Sequence, residues 1–139
     1  MKTSLIRTLS AIICLVSAII PMSAHATAEY KYKPGEYVTI SHGTSPNKLY
    51  AIAAHGEGEY GFDNFHLYLM NAEAGKKIAS LKEVAVILDT AASAYSAEWA
   101  PDSSQVSITY RSDRHTAVIV KYRIKDNQAI LVRGPVKTN

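Results

Sequence analysis

Cysteine is almost missing from this chain of 139 residues; the single one, Cys14, sits in the N-terminal apolar segment. Beyond that segment there is no thiol nucleophile, disulfide framework or zinc-thiolate ligand, and the function classes built on them drop out. Long apolar runs are equally scarce. The best candidate, residues 9–20, is shorter than the roughly 20 apolar residues a bilayer span needs and ends at Pro21, which argues against a transmembrane anchor. Strong net charge is lacking too. After residue 26 there are 13 basic and 12 acidic side chains, too even a balance for binding nucleic acid through overall charge. No serine occupies a Gly-x-Ser-x-Gly elbow, which removes the usual signal for a serine-type triad.

The N-terminus does carry a pattern. Lys2 and Arg7, an apolar run over residues 11–20 and the small-residue site Ala24-His25-Ala26 are the three parts of a cleavable export signal. The expected cut follows Ala26. Residues 1–26 are then a signal peptide, and residues 27–139 form one β-rich domain located in the periplasm or secreted.

Charge within that domain is uneven. Residues 27–104 hold 6 basic and 10 acidic side chains, a net −4, whereas residues 105–139 hold 7 and 2, a net +5. Cations on water-facing strands also keep sheet edges apart, and that is the simpler account of the basic third; a surface for an acidic partner is the other.

Apolar residues recur with period two. Val106, Ile108 and Tyr110 alternate with polar neighbours, as do Val118, Val120, Tyr122 and Ile124, with the polar residues 111–115 between them: a hairpin. An earlier pair is expected over residues 49–53 and 65–70, joined by a loop over residues 55–61 that holds three glycines. Turns at residues 71–75 and 125–127 lead into further strands at 77–81 and 129–132. Pro46 and Pro101 mark equivalent places 55 residues apart, so the domain divides into two repeat-like units of about residues 36–81 and 95–133.

Trp99-Ala100-Pro101-Asp102-Ser103, followed by a strand and Ser112-Asp113-Arg114, resembles the signature of TolB-type β-propeller repeats, and residues 67–72 resemble their strand motif. The resemblance covers roughly residues 45–133 and implies structural roles: the Pro-Asp pair turns the chain between strands, and the tryptophan packs between blades. Ser103 stands where that family usually has glycine. Two units cannot close a ring of at least four blades. The fold expected is therefore all-β, with two blade-like antiparallel sheets as a partial propeller or, preferably, a sandwich-like monomer. Residues 81–89 read either as a short helix, from a capping box and helical spacing, or as a buried strand.

Chemistry-bearing residues are scattered. His42, His55, His66 and His115 follow no metal-ligand spacing, and no cofactor or metal is implied. Asp63 and His66 at one hairpin, with Arg114 and His115 at the other, are the candidate binding residues, because loops carry polar groups that a core rejects. Tyr30, Tyr32 and Tyr37, beside Lys31 and Lys33, read first as an edge strand or loose arm and second as an aromatic contact surface. The function expected is non-enzymatic: a protein-interaction module whose partner is another envelope or extracellular protein. The alternative is a small hydrolytic or metal-dependent enzyme using Asp63, His66, His55 or His115, which would gather those groups in one concave pocket.

Overall fold

The computed structural model describes residues 27–138; residues 1–26, with Cys14 and the expected export signal and cleavage site, lie outside the described residues. Eight strands follow in order: β1 (Val38–Thr44), β2 (Tyr50–Glu57), β3 (Asp63–Asn71), β4 (Lys76–Ser80), β5 (Ser96–Trp99), β6 (Gln105–Asp113), β7 (Thr116–Lys125) and β8 (Gln128–Thr138). The alternation foreseen for β6 and β7 is present. Val106, Ile108, Tyr110, Val120 and Tyr122 are buried, while Thr109 and Arg123 between them are exposed.

The all-β class holds, but the two separate sheets do not. The strands form one mixed sheet in the order β4-β3-β2-β1-β5-β6-β7-β8. It curls into a half-barrel, so that the edge strands β4 and β8 approach one another without pairing. Each unit is an antiparallel four-stranded meander. The two are fused because their first strands, β1 and β5, lie side by side and parallel, bridged at Ser41 and Ser96. Ser41 N–H donates to Tyr95 O at 3.1 Å, and the half-buried Trp99 spans the seam, its indole N–H donating to Gly43 O at 3.1 Å. Such bonds contribute about 1 kcal/mol each. Fully burying one large apolar side chain contributes about 1.5–3 kcal/mol, and Ile52, Leu67, Leu69, Val106, Ile108 and Val120 all do so in one shared cluster. Packing, not the parallel ladder, merges the units.

The proposed helix is also missing. Residues 81–91 are irregular, and only a single 3-10 turn, Ala92–Ala94, follows. Leu81 and Val84 are buried as an amphipathic pattern requires, but Val86 is exposed and the backbone donors of Thr90 and Ala91 turn to Ala28 O instead of the preceding turn. Tertiary partners have overridden a local helix, and for the same reason no strand forms at residues 84–88.

The turns before β2 and β6 are superposable in their bonding. Ser45 N–H donates to Tyr50 O and Lys48 N–H to Ser45 O; in the second unit Ala100 N–H donates to Gln105 O and Ser103 N–H to Ala100 O. Lys48 and Ser103 share a left-handed backbone, with φ of 61° and 62°, the conformation that makes glycine the usual residue here. At the spacing of 55 residues, Phe65, Leu67 and Leu69 of β3 and their counterparts Val120, Tyr122 and Ile124 of β7 all enter the main core, but β2 and β6 differ. Val106 and Ile108 enter the main core, whereas their counterparts Ala51 and Ala53 form a second cluster on the outer face with Tyr68 and Met70. Strands β2 and β3 are consequently buried on both faces.

Candidate functional site

Because β1 and β5 are parallel and β2 and β6 run back against them, the β2–β3 and β6–β7 connections leave from the same end of the sheet. The segment before β1 and the crossover into β5 meet there as well. This loop end is organised by a buried polar pair, Asp89 and Thr90, 1% and 0% exposed. Arg111, late in β6, grips Asp89 with two donors on one edge of its guanidinium, Nη2 donating to Oδ1 at 2.8 Å and Nε to Oδ2 at 3.1 Å. Ala28 N–H donates to the same Oδ1 at 2.8 Å, and Thr90 and Ala91 N–H donate back to Ala28 O. Tyr30 N–H donates to Thr90 Oγ1 at 3.0 Å, while the Thr90 hydroxyl itself donates to Tyr60 O. Two tyrosines close the node: Tyr95 donates to Asp89 O and Tyr32 to Thr90 O. Burial raises the pKa of both phenols well above the usual value, and the nearby Asp89 charge raises that of Tyr95 further. A buried carboxylate left unpaired is costly, and this one is fully engaged. The arm over residues 27–37 is therefore a fixed part of the fold, neither an edge strand nor loose.

The pinned arm and the β2–β3 loop present aromatic surface. Tyr30, Tyr60 and Phe62 are 39%, 54% and 43% exposed. Tyr30 packs edge-on against Tyr32 with ring centres 4.7 Å apart, and Tyr32 does likewise against His55 at 5.6 Å. Beneath them is a hollow of about 340 Å³ lined by Tyr32, Lys33, His55 and Glu57. Two glycines make this packing feasible: a Cβ on Gly56 would lie 2.0 Å from Gly61 O, and one on Gly61 would lie 2.4 Å from Tyr30 O. The loop is shorter and better anchored than its glycine content suggests. Strand β2 continues to Glu57, which places His55 on a strand, with its Nδ1 at Glu36 O and its ring tilted against Tyr37.

The candidate residues occupy two places. Asp63 is exposed at the start of β3, opposite Glu57. His66 lies on the outer face of β3, opposite His55 and edge-on to Tyr68, and its Nδ1 is buried with no hydrogen-bond partner among the described residues. Arg114 and His115 form the two-residue turn between β6 and β7, where Asp113 Oδ1 accepts His115 N–H at 2.8 Å. That bond, with a further one from the Thr116 side chain, holds the Asp113 carboxyl below its ordinary value. Strands β3 and β7 are five places apart in the sheet, a path of about 24 Å at the usual strand spacing. The two pairs share an end of the sheet but not one cleft. No group of three or more metal-ligating side chains occurs among the described residues. No helix among them is long and apolar enough to cross a membrane.

The residues that build this end, Asp89, Thr90, Arg111 and Tyr95, were not singled out from the sequence. A signal existed: Asp89-Thr90 closes an otherwise apolar stretch at residues 84–88, where a carboxylate must find a cation if it is buried. Which of the basic residues would supply it is set only by the fold. Comparison of the chain with protein-family models, with curated proteins and with solved structures found no match to any of them.

Proposed function

We propose that this chain is an exported, non-enzymatic protein-interaction module of the cell envelope or secreted fraction, and that its contact surface is the loop end. The observation that carries the reading is the exposure of Tyr30, Tyr60 and Phe62 on a frame held by the buried Asp89–Arg111 pair. Aromatic side chains supply large contact area at little conformational cost, and a preorganised frame reduces what ordering subtracts from affinity. Asp63 and His66 flank this surface on one side, and Arg114 and His115 extend the same end on the other. Their separation favours a broad contact over a catalytic pocket. The matched turns at Pro46 and Pro101 support taking the chain as two TolB-type repeat units whose first strands have joined.

The test is capture from the cell envelope by the mature protein, comparing wild type with Tyr60→Ala/Phe62→Ala and with alanine at Asp63, His66, Arg114 and His115. The aromatic pair should lose the partner recovered by wild type, with each single alanine variant weakening recovery and altering stability by no more than about 1 kcal/mol, as for surface changes. Full recovery by every variant, with melts unchanged, would place the contact surface elsewhere.

A further inference from the structure

Strand β8 terminates the sheet, so one side of its backbone ladder is unpaired by any other strand. It has 11 residues against 5 in β4, the strand that the curl brings near it, and β4 is too short to shadow it along its length. Ile130, Leu131 and Val132 in its middle are 44%, 42% and 45% exposed. An exposed apolar stretch on an edge strand is a template for a further strand unless something deters it.

The deterrent here has a sign. Lys121 of β7 and Arg133 of β8 are direct cross-strand partners, two cations side by side on the outer face, with Arg123 two residues along the same face. Like charges directly opposite one another weaken a sheet. Over residues 121–137 there are five basic side chains and one acidic, Asp126. This arrangement repels a basic strand, and a second copy of β8 brings more cations, whereas an acidic strand gains from it.

We infer that the free edge of β8 is a strand-addition site for an extended acidic segment of a partner protein, with carboxylates on the outer face beside Arg133, Lys121 and Arg123 and an apolar residue beside Leu131 on the inner face. The pairable stretch is residues 128–134. Asn127 bounds it on one side with a left-handed turn, φ 56°, and Pro135, which has no N–H, bounds it on the other. The surface lies outside the loop end and stands independently of the function proposed for it.

A fluorescent nine-residue peptide of alternating valine and glutamate is the probe, titrated into the mature protein and compared with its valine–lysine counterpart. The acidic peptide should bind at least about tenfold more tightly, lose that advantage in high salt, and lose it again on Lys121→Glu/Arg133→Glu, which should turn the preference toward the lysine peptide. Methylating alternate backbone amides of the acidic peptide should abolish binding, since strand addition uses the main chain. Equal binding of the two peptides overturns the inference, and so does undiminished binding of the methylated one, which would reduce the site to charge alone. Sedimentation showing a dimer that Leu131→Lys dissociates would also overturn it, because β8 would then be covered by a second copy. Melting temperatures of the charge-reversed and Leu131→Lys variants should match wild type.

Discussion

The two ends of the sheet differ in how closely the two four-stranded units match. At the turn end the β1–β2 and β5–β6 connections repeat: the turns at residues 45–48 and 100–103 make the same bonds, are left-handed at the same position, Lys48 and Ser103, and meet directly, Asn47 N–H donating to Ser103 Oγ at 3.0 Å. At the loop end nothing repeats. The β2–β3 loop spans residues 58–62 and displays aromatics, the β6–β7 turn has two residues, and an arm from outside the repeats is tied between them. The units therefore match where the chain turns into β2 and β6, and differ at the loop end.

The largest effect expected at the loop end is from Asp89→Ala. It removes the carboxylate that the Arg111 guanidinium and the Ala28 N–H share, and since Arg111 keeps 34% of its side chain exposed the loss should be about 3 kcal/mol, the low end for breaking a buried pair on one side. Urea unfolding should show that loss, and limited proteolysis should show the arm released. Removing Asp102, whose exposed carboxylate only braces the Ser104 backbone and hydroxyl, should lower the midpoint far less. A smaller response at Asp89 than at Asp102 would reverse the ranking of the two ends.

Trp99→Ala comes next. The indole is half-buried and its N–H joins β5 to β1, so about 2–3 kcal/mol is expected, below the loss for a fully buried tryptophan. Because Trp99 sits at the seam between the units, a biphasic urea transition would show that they unfold separately. A single transition would show that the shared core couples them.

Alkali probes the same frame more gently. Burial first, and for Tyr122 its bond to Glu83 second, raises the pKa of Tyr32, Tyr95 and Tyr122 above the ordinary 10.0. In the unfolded chain these phenols lose their protons near pH 10, while in the folded chain they keep them, so the unfolded state binds fewer protons there. Stability should be full below about pH 10 and fall above it. Absorbance titration should show the phenols of Tyr32, Tyr95 and Tyr122 ionising only as the fold is lost. Uniform titration of all nine tyrosines near pH 10 would contradict the burial of the node.

Much of the scaffold was legible beforehand because strands declare themselves locally. Val106, Ile108 and Tyr110 alternate with polar residues, Pro46 and Pro101 punctuate equivalent turns, and both readings rest on neighbours within a few positions. The fusion into one sheet was not legible, since it depends on Ser41 meeting Ser96 and Trp99 reaching Gly43 across the seam. The spacing of 55 aligned β3 with β7, whose Leu67 and Tyr122 both face the core, but gave no warning that Ala51 and Ala53 would face outward where Val106 and Ile108 face inward. At the site, the aromatics near residue 30 were visible while their anchor was not. Asp89 and Arg111 are 22 residues apart, and nothing local to either names the other. His66 and His115 stood out by residue type and lie, as expected, on different hairpins.

Hydrogen exchange of residues 27–139, with and without a protein recovered in the envelope capture, tests the contrast between the ends most directly. The loop-end reading predicts slowed exchange in residues 27–37 and 58–62, with the turn end at residues 45–48 and 100–103 unchanged. Protection confined to the turn end would contradict it.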